Sequence, residues 1–340
     1  MISRRALFSL DFERPPRADA ALVRVHRTAM ACRVEVAMAE QDAGHVTAAR
    51  AALNEADRIE ALLTVFRDTS ELARINQEAA LPGGAAAIDA DVYALLRKCV
   101  QLHHDTGGAF DITSTPLSRC WGFLHRQGRV PVDAEIAAAR ELVGMTRVAF
   151  DAPARGVRFE RMGMQLNLNA IGKGYTLDCM ARHLRDAGVR HALLSAGSSS
   201  IRALGGRGDG WSIEGRSPLV ARGRIARLHL RDGALGTSGP GEQFVIADGI
   251  RYGHVIDPRS GQPARGVLSA SVAAADAATA DALSTAFFVG GCVTAESYCA
   301  THPDTLALLT LDDAEQRTVL FGSNEHVRGL EVVVPEHVST

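Results

Sequence analysis

HVIDPRSGQPARGVLSASVAAADAATADALSTAFFVGG, residues 254–291, sets a polar turn, a strand and a helix in immediate succession. Asp257-Pro258-Arg259-Ser260-Gly261 combines a short acid, a ring-locked φ and a glycine, which is turn chemistry, and His254 stands just before it at the end of a strand. A strand over 268–274 leads to a helix over 279–289. Its expected N-cap is Thr279, and Gly290-Gly291 is its stop. Leu283, Ala286 and Phe287 would face a core, while Asp281 and Thr285, four apart, bring two oxygens to one face near the N-terminus. Magnesium accepts such hard oxygen ligands and takes one or two protein groups plus waters and phosphates. The same pair would equally suit an ordinary capped helix with a solvent-facing acid.

The chain has 340 residues, 46% of them hydrophobic, enough for one large domain or two intimate lobes. A formal net charge of −2 leaves no basic footprint and argues against nucleic acid as the main partner. The six cysteines form no CxxC pair, so neither a zinc site nor a disulfide framework is indicated. Arg4-Arg5 hints at export, but the apolar run Ala6–Leu10 is broken at Asp11 and Glu13, so a cytoplasmic protein is expected. No stretch reads as eighteen apolar residues, so no membrane span is expected.

Residues 1–20 read as a loose arm, 21–325 as the domain and 326–340 as a tail. Alternation from 22 to 38 suggests two strands joined near Met30, and helical spacing follows over 45–65. Residues 72–76 read as a short turn-like segment before the Pro82-Gly83-Gly84 break, and a helix spans 91–104. His103 and His104 are read as a solvated pair at its end. AFDITSTPLSRCWGF, 109–123, is apolar with a few fixed polar groups, as a cofactor pocket requires. A helix is expected over 133–142 and a strand pair over 148–159. Residues 164–178 then pass from a strand through a glycine-flanked turn, with Lys173, into a helix ending near Gly188, an arrangement that aims N–H groups at an anion. Short strands at 192–195, 200–204, 211–214, 225–230, 234–237 and 252–256 follow, and beyond residue 289 a short helix at 294–301 and strands at 305–310 and 316–321 complete an α+β count.

FDITSTPLSRCWGF, LNLNAIGKGYTLD, GTSG with GHVIDPRSG, and ADALSTAFFVGG stand in the order that resembles the ApbE family of FAD:protein FMN transferases. TAMACRVEV and LLTVFRDTSELARIN extend the likeness back to about residue 28. The resemblance implies a two-lobed, T-fold-related α+β domain of mixed or antiparallel sheets and packed helices, with an FAD cleft between the lobes. It implies magnesium-dependent transfer of the FMN moiety of FAD to a threonine or serine hydroxyl of a target flavoprotein, with release of AMP.

By that likeness Asp281 and Thr285 bind the metal through side chains and Ala170 through its carbonyl. Met30, Phe66, Ala109, Phe110, Asp111, Asn167 and Lys173 fall where the family touches FAD, with Phe66 suited to stacking. Thr237 and Ser238 fit a loop over the flavin phosphates, and His254 matches the histidine that takes the acceptor's proton. Asp257 is read instead as fixing its turn. The chain departs from the family pattern at Asn167-Leu168-Asn169-Ala170, where Asp-Leu-Gly-Gly is usual, at Met30-Ala31-Cys32 for Met-Gly-Thr, and at Gly197-Ser198-Ser199-Ser200 for Gly-Gly-Asp or Gly-Gly-Asn. Two alternatives stay open: an FAD pyrophosphatase giving FMN and AMP, and an FAD-binding protein without catalysis.

Overall fold

The computed structural model describes residues 22–81, 85–206, 208–216, 224–239 and 243–332. The expected arm at 1–20 with Arg4-Arg5, and the Pro82-Gly83-Gly84 break, lie outside them. In chain order the elements are β1 (Leu22–Ala29), β2 (Cys32–Ala39), α1 (Val46–Leu63), α2 (Glu71–Glu78), β3 (Ala86–Ala87), α3 (Ala90–Asp105), α4 (Thr115–Cys120), α5 (Asp133–Arg140), β4 (Val148–Asp151), β5 (Gly156–Phe159), α6 (Gly172–Asp186), β6 (Ala192–Ala196), β7 (Ser200–Leu204), β8 (Trp211–Arg216), β9 (Arg224–Leu230), β10 (Ala234–Ser238), β11 (Phe244–Ala247), β12 (Ile250–Gly253), β13 (Val267–Ala274), α7 (Ala277–Thr301), β14 (Leu306–Leu311), β15 (Thr318–Gly322) and β16 (Val327–Val332).

Among the described residues, eight strands form one sheet in the order β1-β2-β6-β7-β10-β13-β14-β15, every neighbouring pair antiparallel. One face buries Val34, Val36, Leu194 and Ala234 against Leu53 and Ala56 of α1 and Leu177, Met180 and Leu184 of α6. The opposite face packs Ala37, Leu193, Ile201 and Leu235 against Ile213, Leu228 and Leu230 of the three-stranded sheet β16-β9-β8. α3 and the small sheet β3-β5-β4 join a further core centred on Leu96, Phe110, Leu166 and Phe287. The expected α+β class with antiparallel sheets is what the chain builds.

The two strands expected around Met30 form the hairpin β1–β2, whose two-residue turn holds both Met30 (φ 51) and Ala31 (φ 56) left-handed. That is the twist-matched turn of a tight hairpin, made here without glycine. Several expectations require correction. Residues 72–76 belong to the two-turn helix α2, because Ser70 caps it by accepting from the Ala73 amide. Residues 164–168 pair with no sheet; the segment is tied instead by the Leu166 amide to Asn76 Oδ1 and the Asn167 amide to the Ile112 carbonyl. The tail expected from residue 326 begins with β16, which pairs with β9, so the folded region runs past 325. β11, also unforeseen, pairs with β12.

α7 is longer than expected. Its N-cap is Asp276, whose carboxylate accepts from the Thr279 amide at 2.8 Å and the Thr279 hydroxyl at 2.9 Å, and the helix runs to Thr301 across a kink at Gly291. This helix is long and apolar enough to cross a membrane by length and composition, contrary to the expectation of no such stretch, but most of it is buried inside the fold. Two glycines allow the close packing at its start. A Cβ on Gly174 of α6 would lie 2.0 Å from the Ala277 carbonyl oxygen, and one on Gly236 of β10 would lie 2.5 Å from Ala280 backbone. Backbone cannot retreat as a flexible side chain can. Gly174→Ala is therefore expected to destabilise the fold by about 3 kcal/mol, read as a lowered midpoint in urea unfolding; an unchanged midpoint would show that α6 and α7 do not pack this closely.

Candidate active site

A cleft of about 460 Å³ opens where the 109–118 segment, the start of α6, the end of β10, the 254–258 turn and the second turn of α7 converge. Its lining includes Ala109, Phe110, Asp111, Asn167, Ala170, Lys173, Thr237, Ser238, His254, Asp281 and Thr285. Eleven of the thirteen expected site residues thus meet in one place, although they are spread over 177 positions of sequence (109 to 285). Met30 and Phe66 are not among the lining residues. Met30 packs at the start of α6, its Sδ 3.1 Å from the Thr176 hydroxyl, and Phe66 is 67% exposed on the α1–α2 connection. Glu60 links these two regions by accepting from the Met30 amide at 2.9 Å and lying 3.9 Å from Arg67.

Asp281 lies at the buried end of the site, 6% exposed. It sits in the second turn of α7, so the free amides of the helix start do not reach it. Those amides are already used: Ala277 and Ala278 donate to Asp178, and Thr279 to Asp276. The expectation that the macrodipole of this helix favours an anion at Asp281 is corrected accordingly, because the helix start lies beneath the site and is capped by carboxylates. Asp281 is held instead from outside its own helix. Its Oδ2 accepts from the Gly174 amide at 2.7 Å and the Ser200 hydroxyl at 3.0 Å. Burial raises its carboxyl to about 6, against the nearby Lys173 charge and those two hydrogen bonds.

Around Asp281 lies a group of hydroxyls. Ser238 Oγ is 2.8 Å from Ser284 Oγ and 3.1 Å from Thr285 Oγ1, and both α7 hydroxyls also donate to the Asp281 carbonyl. Thr237 and Ser238 are the last residues of β10, in register with Ser271 and Ala270, rather than the expected loop. A strand end holds its hydroxyls more firmly than a turn would. The groups gathered here are a carboxylate and hydroxyls, all oxygen, with Ala170 on the same cleft lining, and both hydrogen bonds to the carboxylate fall on Oδ2, leaving Oδ1 for a ligand. These residues fit a hard divalent cation that keeps part of its own water and phosphate shell.

Lys173, in the first turn of α6, donates from Nζ to the Ser199 hydroxyl. Ser199 and Ser200 were missed as site residues by sequence reading, which treated the serine run only as a departure from the family pattern. In the folded chain Ser199 holds the lysine and Ser200 holds the aspartate. Asn167 likewise retains part of what an aspartate would do there, since its Oδ1 accepts from the Asn169 amide at 2.9 Å.

Asp111 is used differently from the expectation. Its carboxylate accepts from the Thr113 amide at 2.7 Å, the Thr113 hydroxyl and the Met145 amide at 3.2 Å, and lies 3.3 Å from His103. With the acid so occupied, it anchors the 109–113 segment against the 144–145 turn. His103 is not a solvated partner of His104. Its Nδ1 donates to the Phe110 carbonyl at 3.0 Å, which fixes that nitrogen as protonated.

His254 follows β12 and lines the cleft with Val255 and Ile256. Its amide donates to the Gln243 carbonyl at 3.2 Å, extending the β11–β12 ladder by one rung. The turn beyond it is fixed as expected by Asp257, whose carboxylate takes the Arg259 amide and guanidinium at 2.9 Å each. Trp121 braces the same turn by donating from Nε1 to the Gly261 carbonyl.

A family model described as the ApbE family matches residues 30–310. An FAD:protein FMN transferase of Vibrio cholerae is 30% identical over 235 residues, covering 67% of this chain and 69% of that protein. One from Klebsiella pneumoniae is 30% identical over 275 residues, covering 80% and 83% respectively. Among solved structures, the ApbE protein from Thermotoga maritima superposes with a TM-score of 0.78 at 30% identity, over 89% of this chain and 97% of that one. The flavin transferase ApbE from Vibrio cholerae gives 0.76 at 25% identity, over 89% and 97%.

Proposed function

The chain belongs to the ApbE family, and from that premise we propose that it transfers the FMN moiety of FAD to a threonine or serine hydroxyl of a flavoprotein, with release of AMP, in a magnesium-dependent reaction. The observation that carries this reading is the convergence on one cleft of a buried carboxylate, a lysine, a histidine and a set of fixed hydroxyls from five separate segments.

In the proposed reaction the acceptor oxygen attacks the phosphorus on the flavin side of the pyrophosphate. The bridging P–O bond breaks and AMP leaves with its electron pair. Such transfers need positioning and charge neutralisation more than covalent help. Asp281, Thr285 and the Ala170 carbonyl would hold Mg²⁺, which when bound would offset the charge on the phosphates. Lys173 adds a fixed positive charge, oriented by Ser199. Ser200 and the Gly174 amide keep Asp281 in one rotamer, so no reorganisation is required as charge shifts. His254 takes the proton from the acceptor hydroxyl. The apolar wall of Ala109, Phe110 and Ile256 lines the cavity, and Asn167 presents its amide group beside it.

Incubation with FAD, Mg²⁺ and an acceptor flavoprotein is expected to yield covalently flavinylated protein and AMP in equal amounts. Free FMN matching the AMP would show that water is the acceptor, and tight FAD binding without AMP would show a binding protein. A pH effect follows from Asp281. Its carboxyl, raised to about 6, is ionised above that value and protonated below it, so protons compete with the cation. Half-saturating Mg²⁺ for FAD turnover is expected to rise about tenfold for each unit below pH 6; a flat dependence between pH 5 and 7.5 would remove Asp281 from the metal site.

A further inference from the structure

Beneath the cleft, α6, α7 and β7 meet at two levels. At the upper one the Gly174 amide of α6 and the Ser200 hydroxyl of β7 donate to the Asp281 carboxylate of α7 at 2.7 and 3.0 Å. At the lower one the direction reverses. Asp178 of α6 accepts from the Ala277 and Ala278 amides of α7 at 3.0 and 2.9 Å, one oxygen to each, and Arg202 of β7 lies 3.3 Å from it. Residues 174 and 178, like 277 and 281, are about one helical turn or 6 Å apart. Ser200 and Arg202, two residues apart, share a face of β7. The same three elements therefore grip α7 twice.

We infer that Asp178 is a positioning residue for the cation site: it fixes the start of α7, and through it the place of Asp281 and Thr285, without reaching the cleft itself. The inference rests on the transferase reading above. One hold at Asp281 leaves α7 free to roll and slide about that point, whereas a second hold a turn away removes both motions. Ligand oxygens have to be kept within about 0.5 Å of their working place. Asp178 is not among the lining residues of the cleft, and its charge does not serve the fold. Burial and the neighbouring Asp276 raise its carboxyl to about 6, so the ionised group weighs on stability as pH climbs through that value. What a carboxylate offers here is one acceptor oxygen for each of two consecutive amides. Asparagine has a single such oxygen, and its amino group would face the other N–H. Asp276 caps the same helix start, but Lys98 ties it to α3 at 2.7 Å. Asp178 is the cap that joins α7 to the elements of the site.

The test measures Mn²⁺ binding to the full chain, from the electron paramagnetic resonance signal of the free ion, beside AMP release from FAD with Mg²⁺. Asp178→Asn is expected to weaken Mn²⁺ binding about tenfold or more, the usual cost of removing a group that orients a metal ligand. High Mg²⁺ is expected to recover most of its AMP release. Asp42→Asn is the matched lesion: Asp42 is buried and holds two consecutive amides, of Arg190 and His191, at 3.1 and 3.0 Å, in a segment that packs against β1, β2 and α1. Its Mn²⁺ affinity is expected to equal that of wild type. Wild-type affinity in Asp178→Asn, or an equal loss in Asp42→Asn, overturns the positioning role and leaves the transferase reading standing. A wild type that binds no Mn²⁺, with FAD or without it, overturns both. Should Asp178→Asn show no cooperative urea transition, Arg202→Lys takes its place, since it keeps both amide bonds and withdraws the planar guanidinium from Asp178. Weaker Mn²⁺ binding is expected there too, and unchanged binding overturns the proposal.

Discussion

Asp281→Asn is expected to lower Mg²⁺-dependent AMP release from FAD about a thousandfold or more, the equivalent of losing roughly 4 kcal/mol of charge stabilisation. The substitution keeps the shape of the side chain, and the amide oxygen can still accept from the Gly174 amide and Ser200 hydroxyl that now hold the acid. The fold should therefore survive. It should even gain stability at neutral pH, because the folded-state carboxyl is raised to about 6 from an ordinary 3.8. A raised acid binds protons more tightly when folded, so its burden on stability appears as pH climbs through that window and is complete above it. Asparagine never carries that charge. The combination of near-complete inactivity with an equal or higher melting temperature at pH 7.5 would mark Asp281 as an acid kept for chemistry rather than for the fold. Loss of activity together with loss of the folded transition would instead make it a structural residue.

His254→Ala is expected to cut flavin transfer to an acceptor by about 10²–10⁴, the usual contribution of a positioned general base, while FAD affinity changes little. Free imidazole should restore part of the rate, since the vacated space lies at an open cleft. Because His254 is attached to the β11–β12 ladder through its backbone amide, the side chain can be removed without undoing the turn, which Asp257 and Trp121 hold independently. Transfer at the wild-type rate in this variant would assign the proton to another group.

The two effects differ in kind. Asp281→Asn should suppress hydrolysis and transfer alike, as both need the pyrophosphate neutralised. His254→Ala should spare whatever slow hydrolysis occurs, because water needs less help to lose its proton to bulk solvent. Parallel measurement of AMP and of flavinylated protein in the two variants therefore separates activation of FAD from activation of the acceptor.

Much of the fold was legible in local pattern. The turn–strand–helix order of 254–291 appears, although the helix starts earlier and runs on past Gly291, and the strands at 192–195, 200–204 and 268–274 fall within β6, β7 and β13. Helix starts were less so. The N-cap of α7 is Asp276 rather than Thr279, since both are good caps and only the path of β13 decides which one the chain reaches first. α2 escaped notice because eight residues carry too little periodicity, and β16 because its partner β9 lies about a hundred residues earlier. In the site, the ordered motifs nominated residues that do line one cleft, yet Asp111 bends its carboxylate inward to hold its own loop, a role the same letters cannot distinguish from ligand contact.

What the sequence alone determined is the inventory: which oxygens, which lysine, which histidine, and the local turns and helices that carry them, because these follow from side-chain chemistry and short-range periodicity. Which of those groups face one another was decided by tertiary structure. Asp281 is held by Gly174 and Ser200, 107 and 81 positions away, and only the antiparallel order of the large sheet brings β7, β10 and the start of α6 to the same turn of α7. Gly174 and Gly236 permit that approach by having no Cβ to obstruct it. No pattern read along the chain carries such distances, since they are fixed by strand order and by how closely two backbones can pack.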